Sequence, residues 1–368
     1  MFRGIGQSGF GEPIVIVKRA PRKGHRKSMA TTTIPTSSAG KHSAATSSAK
    51  FATKTLGKSD LHLTPIGYGA WAIGGGNWEF GWGAQDEGEA IAAIERALDD
   101  GLNWIDTAAV YGLGHSEEVV GKAIKGRATK PLVFTKCSMR WDGDRKIYRS
   151  LKKESLEEEV NASLRRLGVD AIDLYQIHWP NPEDQIEEGW ETLARFKEQG
   201  KVRYIGVSNF SVAQMKRAQK IAPVTSLQPP YSLLRRDIEK EILPFCQENH
   251  IGVINYSPMV SGLLTGKMTA ERVKGLPEDD WRKRSPNFQS PKLERNLALV
   301  DLLRQIGSQH GVEPGVVAIA WTLRQPGITA AIVGARRPDQ VDGVRPAATF
   351  RLSESEILRI ETWLEEHP

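Results

Sequence analysis

WIDTAAVYGLGHSEEVVGKAI, residues 104–124, opens with an apolar run that stops on an acid. It then passes through a glycine-punctuated loop carrying one tyrosine, Tyr111, and closes on a segment with apolar residues at helical spacing. This is the pattern of a buried strand feeding a helix. Packing gives no reason for a buried strand to end on a carboxylate. Asp106 therefore raises the question of what the other strands of the chain end on.

Beyond residue 60 the same alternation repeats. Short β-rich runs, PIGYG (65–69), NWID (103–106), LVFTK (132–136), DLYQIH (173–178), YIGVS (204–208), TSLQ (225–228), GVINY (252–256) and AAIVG (330–334), are separated by longer amphipathic stretches. In 87–101, Ile91, Ile94 and Leu98 recur at helical spacing and Gly101 ends the pattern. Leu156, Val160, Leu164 and Leu167 do the same ahead of Gly168. Residues 212–222 and 238–250 also read as helices, the second interrupted by Pro244. Eight strands alternating with helices predict an α/β fold with a parallel sheet buried on both faces. Eight such units fit a (β/α)8 TIM barrel, which usually takes ~250 residues plus insertions. Residues 53–64, with Gly57 at the turn, predict a small hairpin that caps the bottom of the barrel.

An open doubly wound sheet is the competing architecture, and it needs a G-x-G-x-x-G turn between an early strand and a helix. GIGQSG (4–9) has no strand ahead of it and no helix after it. GYGAWA (67–72) follows a candidate strand but runs on into Gly74, Gly75 and Gly76. Neither stands in the strand–turn–helix setting, so the barrel is the reading that remains.

The net charge of +6 does not describe the barrel. Residues 1–59 hold eleven Lys and Arg against the single acid Glu12, which leaves residues 60–368 with four more acids than bases. The basicity belongs to an N-terminal arm and gives no nucleic-acid-binding face to the domain. That arm, residues 1–53, carries KRAPRKGHRK (18–27) and then a Ser-, Thr- and Ala-rich stretch, a composition expected to remain disordered. Residues 54–368 form the barrel domain. No apolar run reaches the roughly 18 residues of a membrane span. Cys137 and Cys246 lie far apart and read as buried free thiols, and no metal-ligand spacing occurs.

Active sites of parallel barrels are built at the C-terminal ends of the strands. Here those ends are Asp106, Lys136, His178, Ser208 with Asn209, Gln228, and Tyr256 with Ser257. A ring of polar ends on one rim is a site. Tyrosine is a poor acid at neutral pH, and a neighbouring ammonium such as Lys136 favours its phenolate. Asp106 can hold that lysine and balance its charge, while His178 can donate a hydrogen bond to a carbonyl oxygen. Such a set suits proton delivery to the alkoxide formed when hydride adds to C=O. It contains no activated nucleophile.

The chain resembles the aldo-keto reductase superfamily over roughly residues 54–366. The resemblance rests on NWIDTAAVYGLGHSEEVVGKAI (103–124), VFTK (133–136), DLYQIHWP (173–180), KVRYIGVSNF (201–210) and IVGARRPDQVDGV (332–344). GGGNWEFGWGAQD (74–86), LQPPYSLLRR (227–236) and GLLTGKMT (262–269) are similar to bacterial broad-substrate members. The resemblance implies an enzyme that reduces aldehydes and ketones to alcohols with NADPH bound without a Rossmann fold. Asp106, Tyr111, Lys136 and His178 would be catalytic, with Tyr111 the general acid. Ser208, Asn209 and Gln228 would hold the nicotinamide carboxamide, and Tyr256 would stack on its ring. The loop 257–267 would cover the pyrophosphate through Ser257, Pro258, Met259, Ser261, Gly262, Leu263, Gly266 and Lys267. Gly334, Ala335, Arg336 and Gln340 would meet the adenosine end. Trp71 would line both cofactor and substrate, and Trp179 the substrate. Steroid and aldose reductases of the family carry a Glu-Asn pair where this chain has Gly343 and Val344, so its adenine contacts depart from theirs. The Arg336 guanidinium suits a 2′-phosphate, which favours NADPH over NADH.

Other polar and aromatic residues read as structural. Ser116 reads as a helix N-cap with His115 beside it, and His62, His250 and His310 lack any constellation. Trp78, Phe80 and Trp82 fit either a substrate wall or loop packing, and residues 277–284 either a lid or a solvated loop. A second function that the resemblance implies is a cofactor-sensing regulatory subunit like the channel β-subunits of the same family. It would need a partner-binding surface, and none is legible. The partner expected is a small-molecule carbonyl substrate, with no nucleic acid and no membrane, in a monomer or a homo-oligomer. The location expected is cytoplasmic, with organelle import through the basic arm as the alternative.

Overall fold

The computed structural model describes residues 51–278 and 280–368; the arm up to residue 50, and what is expected of it, lies outside the described residues. Two short strands, β1 (Lys54–Thr55) and β2 (His62–Leu63), pair antiparallel. There follow β3 (Ile66–Gly69), β4 (Trp104–Asp106), β5 (Leu132–Cys137), an antiparallel hairpin of β6 (Met139–Trp141) and β7 (Ile147–Arg149), then β8 (Ile172–Ile177), β9 (Val202–Ser208), β10 (Ser226–Gln228), β11 (Gly252–Asn255) and β12 (Ile328–Gly334). Apart from the two hairpins, the strands pair in parallel in chain order, and β12 returns to β3 to close the barrel. All eight barrel strands expected from the sequence are present, with ends shifted by no more than two residues.

The helices are α1 (Glu87–Asp99), α2 (His115–Ile124), α3 (Lys153–Leu167), α4 (Ile186–Glu198), α5 (Val212–Gln219), α6 (Ile242–Glu248), α7 (Ala270–Lys274), α8 (Lys292–Gln309), α9 (Pro314–Leu323), α10 (Pro338–Val344) and α11 (Glu354–Glu366). Pro244 does not break α6, because it falls in the first turn, where its missing N–H would have no partner in the helix.

The barrel interior is layered by the period-two alternation of its strands. Trp104, Phe134, Leu174 and Ile254 form an apolar floor together with Leu56, Leu61 and Leu63 of the β1–β2 hairpin, all of them fully buried. Truncating an aromatic in such a layer costs about 3–5 kcal/mol. Gly57 lets the hairpin seat against this floor. At φ 54° it lies in the left-handed region, and a Cβ there would stand 2.4 Å from the Thr225 carbonyl oxygen. Two residues further along the same strands, the inward positions are Asp106, Lys136 and Gln176. The apolar floor thus carries a polar storey above it.

Candidate active site at the rim of the barrel

Asp106 and Lys136 meet in that polar storey. Lys136 Nζ donates to Asp106 Oδ2 at 2.6 Å and to the Thr107 carbonyl at 2.9 Å, and stands 3.4 Å from the Tyr111 hydroxyl. Gln228 Nε2 donates to the other Asp106 oxygen at 2.8 Å. The Tyr111 ring packs edge-on against His178, centroids 5.7 Å apart, and also lies beside Trp71 and Trp78. The four residues singled out for catalysis are therefore brought together, on β4, the loop after β4, β5 and the end of β8.

Tyr111 reaches this position because its loop folds tightly. Its N–H donates to the Ala108 carbonyl, and Gly112 (φ 62°) passes so close to Gly74 that a Cβ on it would stand 2.1 Å from the Gly74 carbonyl oxygen. Ser116 is not the N-cap expected of it. The helix α2 starts at His115, two residues earlier than such a cap would set, with Gly114 as cap, and Ser116 is buried in the first turn. Its hydroxyl donates to the Ala70 carbonyl at 2.8 Å and lies 2.9 Å from Thr107 Oγ1. Its neighbour Glu117 is fully buried and accepts from Thr135 Oγ1 at 2.6 Å and Arg166 Nε at 2.7 Å. A cap was expected because Ser precedes the apolar pattern. The side chains instead brace the strand ends that carry Asp106 and Lys136.

Burial pushes the Asp106 carboxyl up and the Lys136 ammonium down, and their mutual contact opposes both shifts. The Tyr111 hydroxyl is pushed well above its ordinary value, first by burial and then by the Asp106 charge. The sequence suggested a lowering by Lys136; burial outweighs it, and the Asp106 carboxylate, 2.6 Å from that ammonium, acts in the opposite sense. Burial, then the charges of Lys136 and Arg149, hold His178 well below its ordinary value, so it stands neutral.

A second network runs round the rim. Asn209 Nδ2 donates to the His178 carbonyl and to Ser208 Oγ, both at 3.0 Å, and its Oδ1 accepts from Tyr256 at 2.9 Å. Ser208 Oγ donates to the Gln228 carbonyl at 2.8 Å. Burial pushes the Tyr256 hydroxyl up to about 12. Gln176, which the sequence did not single out, is buried below these groups with its amide nitrogen unpartnered and its oxygen 3.5 Å from Gln228 Nε2. A polar residue inside the run DLYQIH was the available signal.

The backbone just beyond the strands is strained. Ser138, Asn209, Ser257, Val260 and Ser261 all have positive φ, and Val260 at 49° is a β-branched residue in the left-handed region. Each such residue costs about 1–3 kcal/mol and marks functional loops. In 257–267, Pro258 is buried, Leu263 packs into a small cluster with Phe288 and Leu293, and Lys267 pairs with Glu313. Gly262 and Gly266 are left-handed. The backbone N–H groups of Met259 and Ser261 find no acceptor among the described residues. Two free donors in a left-handed curl fit an anionic group such as a pyrophosphate.

On the far side, Gly334 ends β12, the Ala335 carbonyl accepts from Tyr68, and Gln340 Oε1 accepts from the Arg336 N–H at 2.7 Å. The Arg336 side chain turns to the loop after β3 and donates to Gln85 Oε1 and to the Trp82 and Ala84 carbonyls. Trp179 packs with Trp78, Phe80 and Tyr111 around Met139. Residues 281–284 are not a free solvated loop: Trp281 stacks on Trp71 at 6.0 Å, and Arg282 lies over the Trp82 ring.

The model of the Aldo/keto reductase family matches residues 65–365. The chain belongs to that family. The Aldo-keto reductase YhdN of Bacillus subtilis is 39% identical over 314 residues, covering 84% of this chain and 93% of that protein. The NADH-specific methylglyoxal reductase of Escherichia coli is 36% identical over 318 residues, covering 82% and 94%. Among solved structures, the glycerol dehydrogenase AKR11B4 of Gluconobacter oxydans aligns with a TM-score of 0.79 at 39% identity, over 86% of this chain and 96% of that one. The holo form of AKR11C1 from Bacillus halodurans aligns at 0.72 with 28% identity, over 85% and 96%. As a member of the aldo/keto reductase family this barrel is an oxidoreductase of carbonyl compounds that works with a nicotinamide cofactor. No helix among the described residues is long and apolar enough to cross a membrane.

Proposed function

We propose that the protein reduces aldehydes or ketones to alcohols with NADPH, Tyr111 acting as the general acid. The observation that carries this reading is the Tyr111 hydroxyl 3.4 Å from an ammonium that is itself 2.6 Å from Asp106, with the neutral His178 ring beside it. When bound, a nicotinamide cofactor would supply the hydride that the carbonyl carbon receives. Tyr111 donates its proton to the carbonyl oxygen, and Lys136 stabilises the phenolate that is left. His178, kept neutral, directs a ring N–H at the same oxygen and orients it. Asp106 holds Lys136 at its post.

Ser208, Asn209 and Gln228 would hold the carboxamide, Tyr256 would offer its ring face, and Met259 and Ser261 would donate their N–H groups to the pyrophosphate. Gly334, Ala335, Arg336 and Gln340 would receive the adenosine end, and Trp71 and Trp179 would line the substrate side. The preference for NADPH rests on Arg336, since a guanidinium favours a phosphate over a hydroxyl. The NADH-specific relative in Escherichia coli makes this a point to test. Oxidation of NADPH and of NADH should be followed across small aldehydes, methylglyoxal, sugars and ketones. Turnover of a carbonyl substrate with a lower KM for NADPH supports the reading, whereas equal KM values for the two cofactors remove the preference.

A further inference from the structure

Arg336 has an unusual set of partners for an arginine on this rim. Its Nε donates to Gln85 Oε1 at 2.5 Å, one terminal nitrogen to the Trp82 carbonyl at 3.3 Å, and the other to the Ala84 carbonyl. Gln85 returns the bond, its Nε2 donating to the Arg336 carbonyl at 3.1 Å. All these acceptors are neutral. The neighbouring guanidiniums are different: Arg337 pairs with Asp339 at 3.0 Å and Arg282 with Asp280 at 2.6 Å. Arg336 is thus half-buried with its donors occupied by neutral oxygens, the charges of Arg282 and Arg337 acting against its own and that of Asp280 in its favour.

A guanidinium held only by neutral oxygens exchanges them readily for a dianion, because a phosphate adds charge–charge attraction and a bidentate geometry that a neutral oxygen lacks. A ribose 2′-hydroxyl is neutral and has no such advantage over an amide oxygen. We propose that Gln85 is a cofactor-specificity residue: with the Trp82 and Ala84 carbonyls it is the internal competitor that a 2′-phosphate displaces from Arg336 and that a 2′-hydroxyl does not. The proposal rests on the reading of the site as a nicotinamide-cofactor site and adds the residue that sets its selectivity. It also joins that choice to the mouth of the barrel. The loop that Arg336 holds carries Trp82, whose ring packs edge-on against Trp71 at 5.3 Å and lies near Trp281 at 6.2 Å.

Calorimetric titration of the full chain with NADPH and with NADH tests this without reference to turnover. Gln85→Ala removes the competing acceptor and should tighten NADPH binding by roughly three- to tenfold, leaving NADH unchanged. Gln85→Glu gives Arg336 a carboxylate and should weaken NADPH by roughly tenfold, again with NADH unchanged. Opposite shifts for one cofactor and none for the other are not the mark of a merely structural residue, and unaltered NADH binding certifies that each variant is folded. Wild type that binds neither cofactor overturns the cofactor reading and this proposal with it. Wild type that binds NADPH, with both variants unmoved or moved alike for the two cofactors, overturns the proposal alone.

Discussion

Lys136 Nζ and Asp106 Oδ2 stand 2.6 Å apart with their side chains 0% and 4% exposed. An ion pair so enclosed has lost the hydration of both charges, and breaking it from one side leaves the other uncompensated. Asp106→Asn should therefore destabilise the protein by about 3–5 kcal/mol, read from urea unfolding. An Asn variant as stable as wild type would show that the pair contributes nothing to the fold.

Tyr111→Phe removes one oxygen from the site and little packing. It should bind NADPH as wild type does and lose carbonyl reduction by about 10²–10⁴-fold in kcat/KM. Reduction at the wild-type rate would exclude Tyr111 as the acid. The ionisation states point the same way. Tyr111 is raised and stays protonated through neutral pH, while His178 is lowered and stays neutral. The kcat/KM of wild type should thus be flat between about pH 6 and 9.

Glu159 on α3 is buried against the turn after β5, where its Oε2 accepts from the Ser138 N–H at 3.1 Å. Burial raises its carboxyl from 4.5 to about 8. The folded state therefore binds this proton more tightly than the unfolded chain does. The resulting stability is complete below pH 4.5 and is lost as pH rises towards about 8. Glu159→Gln cannot ionise and should escape that loss. Its Tm should match wild type near pH 5 and exceed it by at least about 2 °C near pH 8. A Tm difference independent of pH would place the titration elsewhere.

Trp281 closes the segment after β11 onto the loop after β3 by stacking on Trp71. Trp281→Ala should release the segment that carries the basic run Arg282, Lys283 and Arg284. Trypsin should then cut there several-fold faster, while the barrel's circular dichroism is retained. Equal cleavage of variant and wild type would mean that the stack does not hold the segment.

The eight strands were legible because buried parallel strands leave short apolar runs set between longer amphipathic stretches. The inward partners of the four expected residues were not. Gln176 has the same hydrophobic neighbours as any core position, and only the register of β8 on β9 and β5 turns it towards Gln228. Ser116 and Glu117 looked like the start of a helix. Their true contacts, Ala70, Thr135 and Arg166, lie 46, 18 and 49 residues away.

Read alone, the sequence determined the barrel and the residue types on its rim, since both follow from local periodicity and from the end of each strand. Tertiary structure decided which charges face one another. It buried the Tyr111 hydroxyl beside the Asp106 carboxylate, and burial first and that charge second left it raised rather than lowered. It turned Arg336 onto a loop 251 residues distant. Protonation and pairing depend on through-space distance and burial, and neither quantity is carried by spacing along the chain.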